Sequence, residues 1–343
     1  MKSPFLILLL VLVSLDSFSQ DIFPITKVTL SQDIKIQSVQ INPLLFDLKQ
    51  IQTYETQEVI SNWKSKDIVG FDLSEIAFSN WNAGGVSSIS GLIKGDFTRM
   101  YANENSKWFN ELVVRYGVNK QDGDALRKSD DAIRFNSTYG YKKHKSSTWY
   151  HSMKFNFNTQ FTNGYKYPNI SYAISKPLSP AYTFLGIGAE YFDKIKKLNL
   201  YISPLTMKNT LVLDQTLANK GAFGVAKAVY DLNGNIIIEG ENSKTELGFL
   251  VTNAYKKEIM KNVNFDNRVS FYSDYINNFG NIDVDWEFML NLIVNQYVKA
   301  NIGAHFVYDD DIKAKEEING DQVTVGPKLQ LKQALGIGLE YTF

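Results

Sequence analysis

Hydrophobic and polar residues alternate along most of this chain, with the period of two that a β-strand produces. In the final segment, residues 331–343, the odd positions are almost all apolar or aromatic, whereas the even positions are small or polar. Eleven earlier segments repeat this alternation. The pattern predicts twelve strands, at residues 69–79, 86–102, 107–118, 131–142, 148–162, 181–192, 197–206, 245–256, 262–275, 282–295, 297–309 and 331–343.

The connections between these predicted strands alternate in length. Short links such as residues 143–147 follow the even-numbered strands, whereas longer ones such as 163–180 and 207–244 follow the odd-numbered strands. This arrangement is typical of outer-membrane barrels, and only a closed barrel pairs every backbone group in lipid. The sequence therefore predicts an all-β fold: a transmembrane antiparallel up-and-down β-barrel of about 12 strands over residues 67–343, with both termini in the periplasm.

The first twenty residues have the features of a secretory signal peptide. Lys2 precedes an apolar run from Phe5 to Val13, and small residues follow at Ser17 and Ser19. We expect cleavage near Ser19 or Gln20, with a buried N-terminal helix as the alternative. Residues 21–66 lack the strand pattern and are predicted to form a periplasmic extension, or alternatively a plug folded into the lumen. The predicted location is the outer membrane of a Gram-negative bacterium.

Composition narrows the classes of partner and site. The chain has no cysteine, which excludes disulfides and thiolate metal sites, and its formal net charge of zero gives no indication of a nucleic-acid partner. Aromatic residues are abundant, with 5 Trp, 19 Tyr and 22 Phe, as expected for a barrel with aromatic girdles in contact with lipid. Trp108 and Trp149 are predicted at one membrane interface and Trp286 at the other.

One sequence motif occurs twice, as LGIGAEY at Leu185–Tyr191 and LGIGLEY at Leu335–Tyr341. Alternation predicts that its leucine and isoleucine face lipid while its glycines and glutamate face the lumen. Tyr341 and Phe343 on the lipid face match the C-terminal aromatic signal that the barrel assembly machinery recognises. We therefore expect that machinery as a partner during biogenesis.

Several short motifs resemble an uncharacterised family of outer-membrane β-barrel proteins from Bacteroidetes. The motifs are SNWNAGG (79–85), RKSDD (127–131), STYGY (137–141), SPLT (203–206), DQTLANKGAFGV (214–225), YKKEIMKNV (255–263) and YDDDI (308–312). The resemblance extends over residues 64–343. Because the family has no assigned activity, the resemblance implies location and architecture and not chemistry. The insert at 230–244 departs from the family pattern and is expected to lengthen one surface loop.

Charged residues on the lumen-facing parity fall into two groups. The predicted basic wall comprises Lys94, Arg115, Arg134 and Lys154, and the predicted acidic wall comprises Asp266, Asp274, Asp283, Asp285, Glu287 and Asp309. On opposite sides of a twelve-stranded ring they would place a transverse field across the lumen, which sorts polar solutes by charge. This predicts a narrow, porin-like passive channel for a small polar solute. The alternative is that the charges pair and fill a closed barrel with a structural or assembly-partner role.

Five aspartates are expected at one rim of the barrel, at the ends of three neighbouring strands. They are Asp274, Asp283, Asp285, Asp309 and Asp311. Carboxylate oxygens are the ligands that calcium prefers, so a weak calcium site is one hypothesis. The other is that Lys313, Lys315 and solvent neutralise these charges.

Enzyme chemistry has little support in the sequence. An outer-membrane lipid hydrolase needs a serine and a histidine on the lipid face near the outer leaflet. His144 is predicted in a periplasmic turn, His151 on the lipid face near the periplasmic end of the fifth strand, and His305 in the lumen, so none is placed for that chemistry. The chain also lacks GxSxG, HExxH and nucleotide-binding motifs. We predict no enzymatic activity and no cofactor.

Overall fold

The structure is a computed structural model and describes residues 61–77, 86–193, 195–276, 279–318 and 321–343. The predicted signal peptide and most of the predicted extension lie outside these residues. Within the described part of the chain, no helix has the length and apolar character needed to cross a membrane.

The described residues are almost entirely strands. In chain order these are β1 (Trp63–Ile76), β2 (Ser88–Ala102), β3 (Ser106–Gln121), β4 (Arg127–Tyr141), β5 (Trp149–Thr159), β6 (Gly164–Tyr165), β7 (Ala173–Ser175), β8 (Ala181–Asp193), β9 (Leu198–Leu211), β10 (Val229–Tyr230), β11 (Ile236–Ile238), β12 (Ser243–Met260), β13 (Val263–Asp274), β14 (Asp283–Ile293), β15 (Val298–Tyr308), β16 (Lys313–Ile318), β17 (Asp321–Pro327) and β18 (Gln330–Thr342). A short helix, α1 (Gln215–Asn219), and a 3-10 turn (Ala222–Gly224) lie between β9 and β10.

Twelve of the described strands form one closed antiparallel barrel. Around the ring their order is β1-β18-β15-β14-β13-β12-β9-β8-β5-β4-β3-β2. The six short strands form three hairpins, β6–β7, β10–β11 and β16–β17, within the longer connections. The predicted twelve-stranded barrel is therefore confirmed, although its orientation in a membrane stays a prediction.

The barrel closes where the first strand meets the last. β1 pairs with β18 from Ile68 opposite Thr342 to Asp72 opposite Gly338. Beyond this ladder, Phe343 donates its backbone N–H to the carbonyl of Asp67 at 2.9 Å. Closure removes the free strand edges that an open sheet would expose. β1 begins at Trp63, so the barrel includes the last four residues that we had assigned to the extension.

The outer face carries rings of aromatic side chains at both ends. At the end with the short turns, the ring of Trp63 lies 5.4 Å from Tyr101 and 5.8 Å from Trp108. At the end with the long loops, the ring of Trp286 lies 5.5 Å from Phe288 and 5.3 Å from Phe306. Aromatic belts flanking an apolar band are typical of barrels that cross a membrane.

One half of the lumen, bordered by β5, β8, β9 and β12, is filled by side chains and is called the packed half below. Tyr201 and Leu250 are buried there together with Tyr272 of β13. A register shift in β9 at Ser203–Leu205 marks a bulge, where Ser203 donates a hydrogen bond to the carbonyl of Ile187. Pro204 has no backbone N–H, and a bulge is a position where a strand tolerates it.

Candidate functional site: a charged cavity in the lumen

The other half of the lumen contains a cavity of about 760 Å³. Its walls come mainly from β1–β4, β13–β15 and β18, and we call the part of the lumen that these strands border the cavity half. β5, β8 and β9 contribute none of the described lining residues. Lining residues range from Lys257 near the short-turn end to Ser74 and Asp130 near the long-loop end. The cavity therefore extends along most of the barrel axis.

Ion pairs cross the lumen about halfway along this cavity. The guanidinium groups of Arg115 on β3 and Arg134 on β4 lie 3.4 and 3.1 Å from the carboxylate of Glu287 on β14. On the side towards the short turns, Arg268 on β13 donates two hydrogen bonds of 3.0 Å to Glu111 on β3. Such bidentate pairs have a fixed geometry. We call these contacts the cross-lumen ion pairs.

The other two residues of the predicted basic wall have different surroundings. Lys94 pairs with Asp72 on the neighbouring strand β1, at 3.1 Å, and its ammonium group lies 3.8 Å from Glu340 on β18. Lys154 points into the packed half, where it donates a 2.8 Å hydrogen bond to the hydroxyl of Thr252. Lys154 is therefore not part of the cavity wall.

The predicted acidic wall is also divided among separate partners. Asp266 pairs with Lys256 at 2.9 Å, and Asp285 contacts His305 at 2.9 Å. At the long-loop end lie three more residues of this wall. The Lys208 ammonium group lies 2.8 Å from Asp283 and 3.4 Å from Asp309, and a carboxylate oxygen of Asp274 accepts a hydrogen bond from the backbone N–H of Ile276 at 2.9 Å.

The two predicted walls do lie on opposite sides of the ring, but the geometry differs from the open transverse field that we expected. Opposing charges touch at Glu287, and Asp72, Lys256 and Lys208 neutralise several of the others. The physical reason is that a charge in a confined lumen is costly unless a partner lies close to it. Sorting charges by strand could not identify those partners, because several come from strands outside the two predicted sets.

Of the five aspartates predicted at the rim, Asp283 and Asp309 come close together, and Asp310 joins them. Carboxylate oxygens of these three residues lie within 4.8 Å of one another. Asp311 pairs with Lys244 at 2.5 Å, while Asp285 lies against His305 instead.

Lys208 belongs to this rim but was not among the predicted site residues, because the seventh predicted strand ended at residue 206. β9 in fact continues to Leu211. The alternation that continues through Thr206, Lys208 and Thr210 was the available indication, since all three side chains are buried. The side chains of Lys313 and Lys315, which we had expected to neutralise the rim, lie outside those that the structure describes.

The three histidines lie in different environments. His305 faces Asp285 in the lumen, His151 lies on the exposed face of β5, and His144 lies in the short turn between β4 and β5. In the described part of the chain, no side-chain hydrogen bond joins a histidine ring to a serine hydroxyl.

The long connection between β9 and β12 has a small core of its own, formed by Val212, Leu217, Ala218 and Val225. Asp214 caps helix α1 by accepting a hydrogen bond from the backbone of Leu217 at 3.0 Å. The Lys176 ammonium group, 2.5 Å away, donates a hydrogen bond that lowers the pKa of the Asp214 carboxyl group below its usual value. This loop is thus a folded element, joined to the preceding long connection by an ion pair.

Comparison with known families adds one match. The family described as "Protein of unknown function (DUF3078)" matches residues 73–165. The resemblance to an uncharacterised family is confirmed for this part of the barrel, which is shorter than the 64–343 that the motifs led us to expect. A search of curated proteins finds no match.

Solved structures with a similar fold are outer-membrane barrels. An outer membrane channel from Pseudomonas putida F1 is 8% identical, with a TM-score of 0.38 over 84% of this chain and 98% of that one. The translocator domain of the autotransporter NalP from Neisseria meningitidis is 10% identical, with a TM-score of 0.34 over 82% and 87%. The NanC porin is 12% identical, with a TM-score of 0.34 over 80% and 98%. Values this low carry no information on what the chain binds or transports.

Proposed function

We propose that this protein is a barrel of the bacterial outer membrane that acts as a narrow passive channel for small polar solutes. The observation that carries the proposal is the cavity of about 760 Å³, which charged side chains line along most of the barrel axis. Insertion in lipid is supported by the exposed apolar outer face and by the aromatic rings at both of its ends. A water-filled polar lumen inside an apolar shell is the usual design of a barrel channel.

The charges of the cavity favour small anions over cations. Its lining includes ten Lys or Arg residues and six Asp or Glu residues. Among the described residues, Lys66, Lys197 and Lys257 near the short-turn end have no carboxylate within ion-pair distance. Unpaired charge of one sign at a pore mouth concentrates counter-ions there. The proposed solute class is therefore small and polar, with a preference for anions.

Single-channel conductance of the refolded protein in planar bilayers tests the proposal. Glu287→Ala removes the acceptor that both Arg115 and Arg134 share, so we expect larger conductance and stronger anion preference. Glu104→Ala is the matched control, because Glu104 pairs only with Lys145 among the described contacts, at the exposed short-turn end. Removal of residues 21–60, which spares all of β1, tests whether the extension restricts the current.

A non-conducting structural or assembly-partner barrel is the second candidate. It is supported by the filled packed half and by the ion pairs that cross the lumen. If neither the unaltered protein nor Glu287→Ala conducts current although the barrel is folded, the channel proposal fails and this candidate takes its place.

We further propose that the role is not enzymatic. The support is the position of the histidines: His305 lies inside the lumen against Asp285, His144 lies in a turn, and His151 lies on the exposed face of β5 close to the short-turn end. A lipid hydrolase would need a serine and a histidine hydrogen-bonded on the lipid face. Release of fatty acid from phospholipid vesicles by the folded protein would contradict this part of the proposal.

A further inference from the structure

A second, much smaller pocket lies at the long-loop end of the barrel, where β12 and β14 begin and β13 and β15 end. Its volume is about 10 Å³, roughly the space that one water-sized particle needs. The groups that line it are mainly acidic: Glu246, Asp274, Asp283, Asp310 and Asp311, with Tyr272 beside them. We call this site the rim pocket.

Carboxylate oxygens approach one another closely at the rim pocket. Oxygens of Asp283, Asp309 and Asp310 lie within 4.8 Å of one another. A calcium ion has oxygen ligands at about 2.3–2.6 Å, so ligands on its two sides are separated by about this distance. The three side chains come from the start of β14 and the end of β15, and they are thus already arranged around a common point.

An independent observation points to a ligand at this pocket. The hydroxyl of Tyr272 is buried and has no hydrogen-bond partner among the described residues, while the Glu246 carboxylate oxygen that also lacks one lies 3.7 Å from the Lys208 ammonium group. Tyr272 and Glu246 are each only 3% exposed, and both line the pocket. Buried polar groups nearly always have a partner in native proteins, and a hydrated cation would supply one to each.

The charge balance favours a cation at the same place. Six carboxylates meet at this rim, on Glu246, Asp274, Asp283, Asp309, Asp310 and Asp311. Four of them, on Glu246, Asp283, Asp309 and Asp311, share two ammonium groups, those of Lys208 and Lys244. Crowded carboxylates repel one another, so an excess of negative charge remains after both lysines are counted.

We propose that the rim pocket binds a divalent cation of the calcium type, which joins the β13–β14 connection to the chain that follows β15. Lys208 already neutralises part of the cluster, so affinity is weak, with a dissociation constant on the order of 10⁻⁴ to 10⁻³ M. The site is separate from the large cavity. The proposal therefore holds whether or not the barrel conducts.

Calcium titration of the refolded full chain in detergent, followed by calorimetry and by thermal stability, tests this site. We expect saturable binding and a rise in unfolding temperature with calcium. Asp283→Asn and Asp310→Asn should each weaken binding at least about ten-fold, because each removes a charged ligand. The matched control is Asp231→Asn: this aspartate lies in an exposed turn of the β10–β11 hairpin, away from the rim pocket, and should leave binding unchanged.

The two rim variants make the test robust to a folding failure. Asp310 follows β15 and lies outside the strands, so its replacement tests the site even if Asp283→Asn fails to fold. Tyr272→Phe is expected to weaken binding about three-fold, since it removes one hydrogen bond to a water on the ion. Absence of calcium binding by the folded protein, or binding that survives both aspartate substitutions, would overturn the proposal.

Discussion

The two copies of the LGIG motif lie in opposite halves of the barrel and have different surroundings. The copy in β8 and the copy in β18 are six strands apart in a ring of twelve. A methyl group added at Gly186 would lie 2.7 Å from the hydroxyl of Thr206, whereas one added at Gly336 would have no heavy atom nearer than 3.4 Å. The same residues thus face a dense interior on one side and a cavity on the other.

The glutamates of the two copies differ in the same way. Glu190 is 2% exposed and accepts hydrogen bonds from Ser152 and Asn199 while it pairs with Lys107 at 2.8 Å. The side chain of Glu340 is 13% exposed, lines the cavity and pairs with Lys299. The alternating pattern thus determines which side chains point into the lumen. The strands opposite determine whether those side chains are tightly packed or line the cavity.

The largest contrast between the two copies is expected in the free energy of unfolding when each glutamate is separately replaced by alanine. Glu190→Ala leaves the ammonium group of Lys107 without its carboxylate in the packed half, and we expect a loss of about 3–5 kcal/mol in the free energy of unfolding. Glu340→Ala should cost only about 1 kcal/mol, because Lys94 keeps Asp72 and Lys299 keeps access to the cavity. Urea unfolding of both variants in lipid vesicles measures the difference. Equal losses would contradict the division of the lumen into two halves.

A smaller contrast is expected at the first glycine of each copy. In Gly186→Ala the added methyl group meets the side chains of Thr206, Ser203 and Tyr201, which should cost about 1–3 kcal/mol. Gly336→Ala should change the free energy of unfolding by no more than about 0.5 kcal/mol. The same unfolding experiment compares them, and a larger loss at Gly336 would show that the cavity half is more tightly packed than the structure indicates.

The smallest expected contrast is in chemical accessibility, and the absence of native cysteine makes it simple to measure. Thr206→Cys places a thiol in the packed half, and Ala334→Cys places one on the cavity wall. A polar maleimide should modify the cavity thiol at least about ten-fold faster, since the packed site must open locally before it reacts. Equal rates in the folded barrel would mean that water reaches both halves.

Much of the fold followed from the sequence, because strand alternation is a local property. Each of the twelve predicted strands is present, and the outward positions of Trp108, Trp149 and Trp286 agree with their exposure. The predictions failed at strand ends, where the pattern merges into the loops: β1 begins six residues before the predicted start at 69, and β9 continues past 206 to include Lys208.

The arrangement of the candidate site could be predicted only in part. Strand parity placed Arg115, Arg134 and Glu287 in the lumen, but it could not show that they touch. Their contacts join residues 172 and 153 positions apart in the chain. Nor could the pattern predict that Lys154 belongs to the packed half, since its ammonium group lies against Tyr201 on β9 and Thr252 on β12.

The sequence by itself determined the number of strands, the face that most side chains occupy and the division into short turns and long loops. These depend on backbone periodicity and on the need for an apolar surface in lipid, both of which act over a few residues. Only the tertiary structure decided which charges pair across the lumen, which half is filled and where the acidic rim groups meet. Those outcomes depend on distances between strands that are remote in the chain and become neighbours only when the barrel closes.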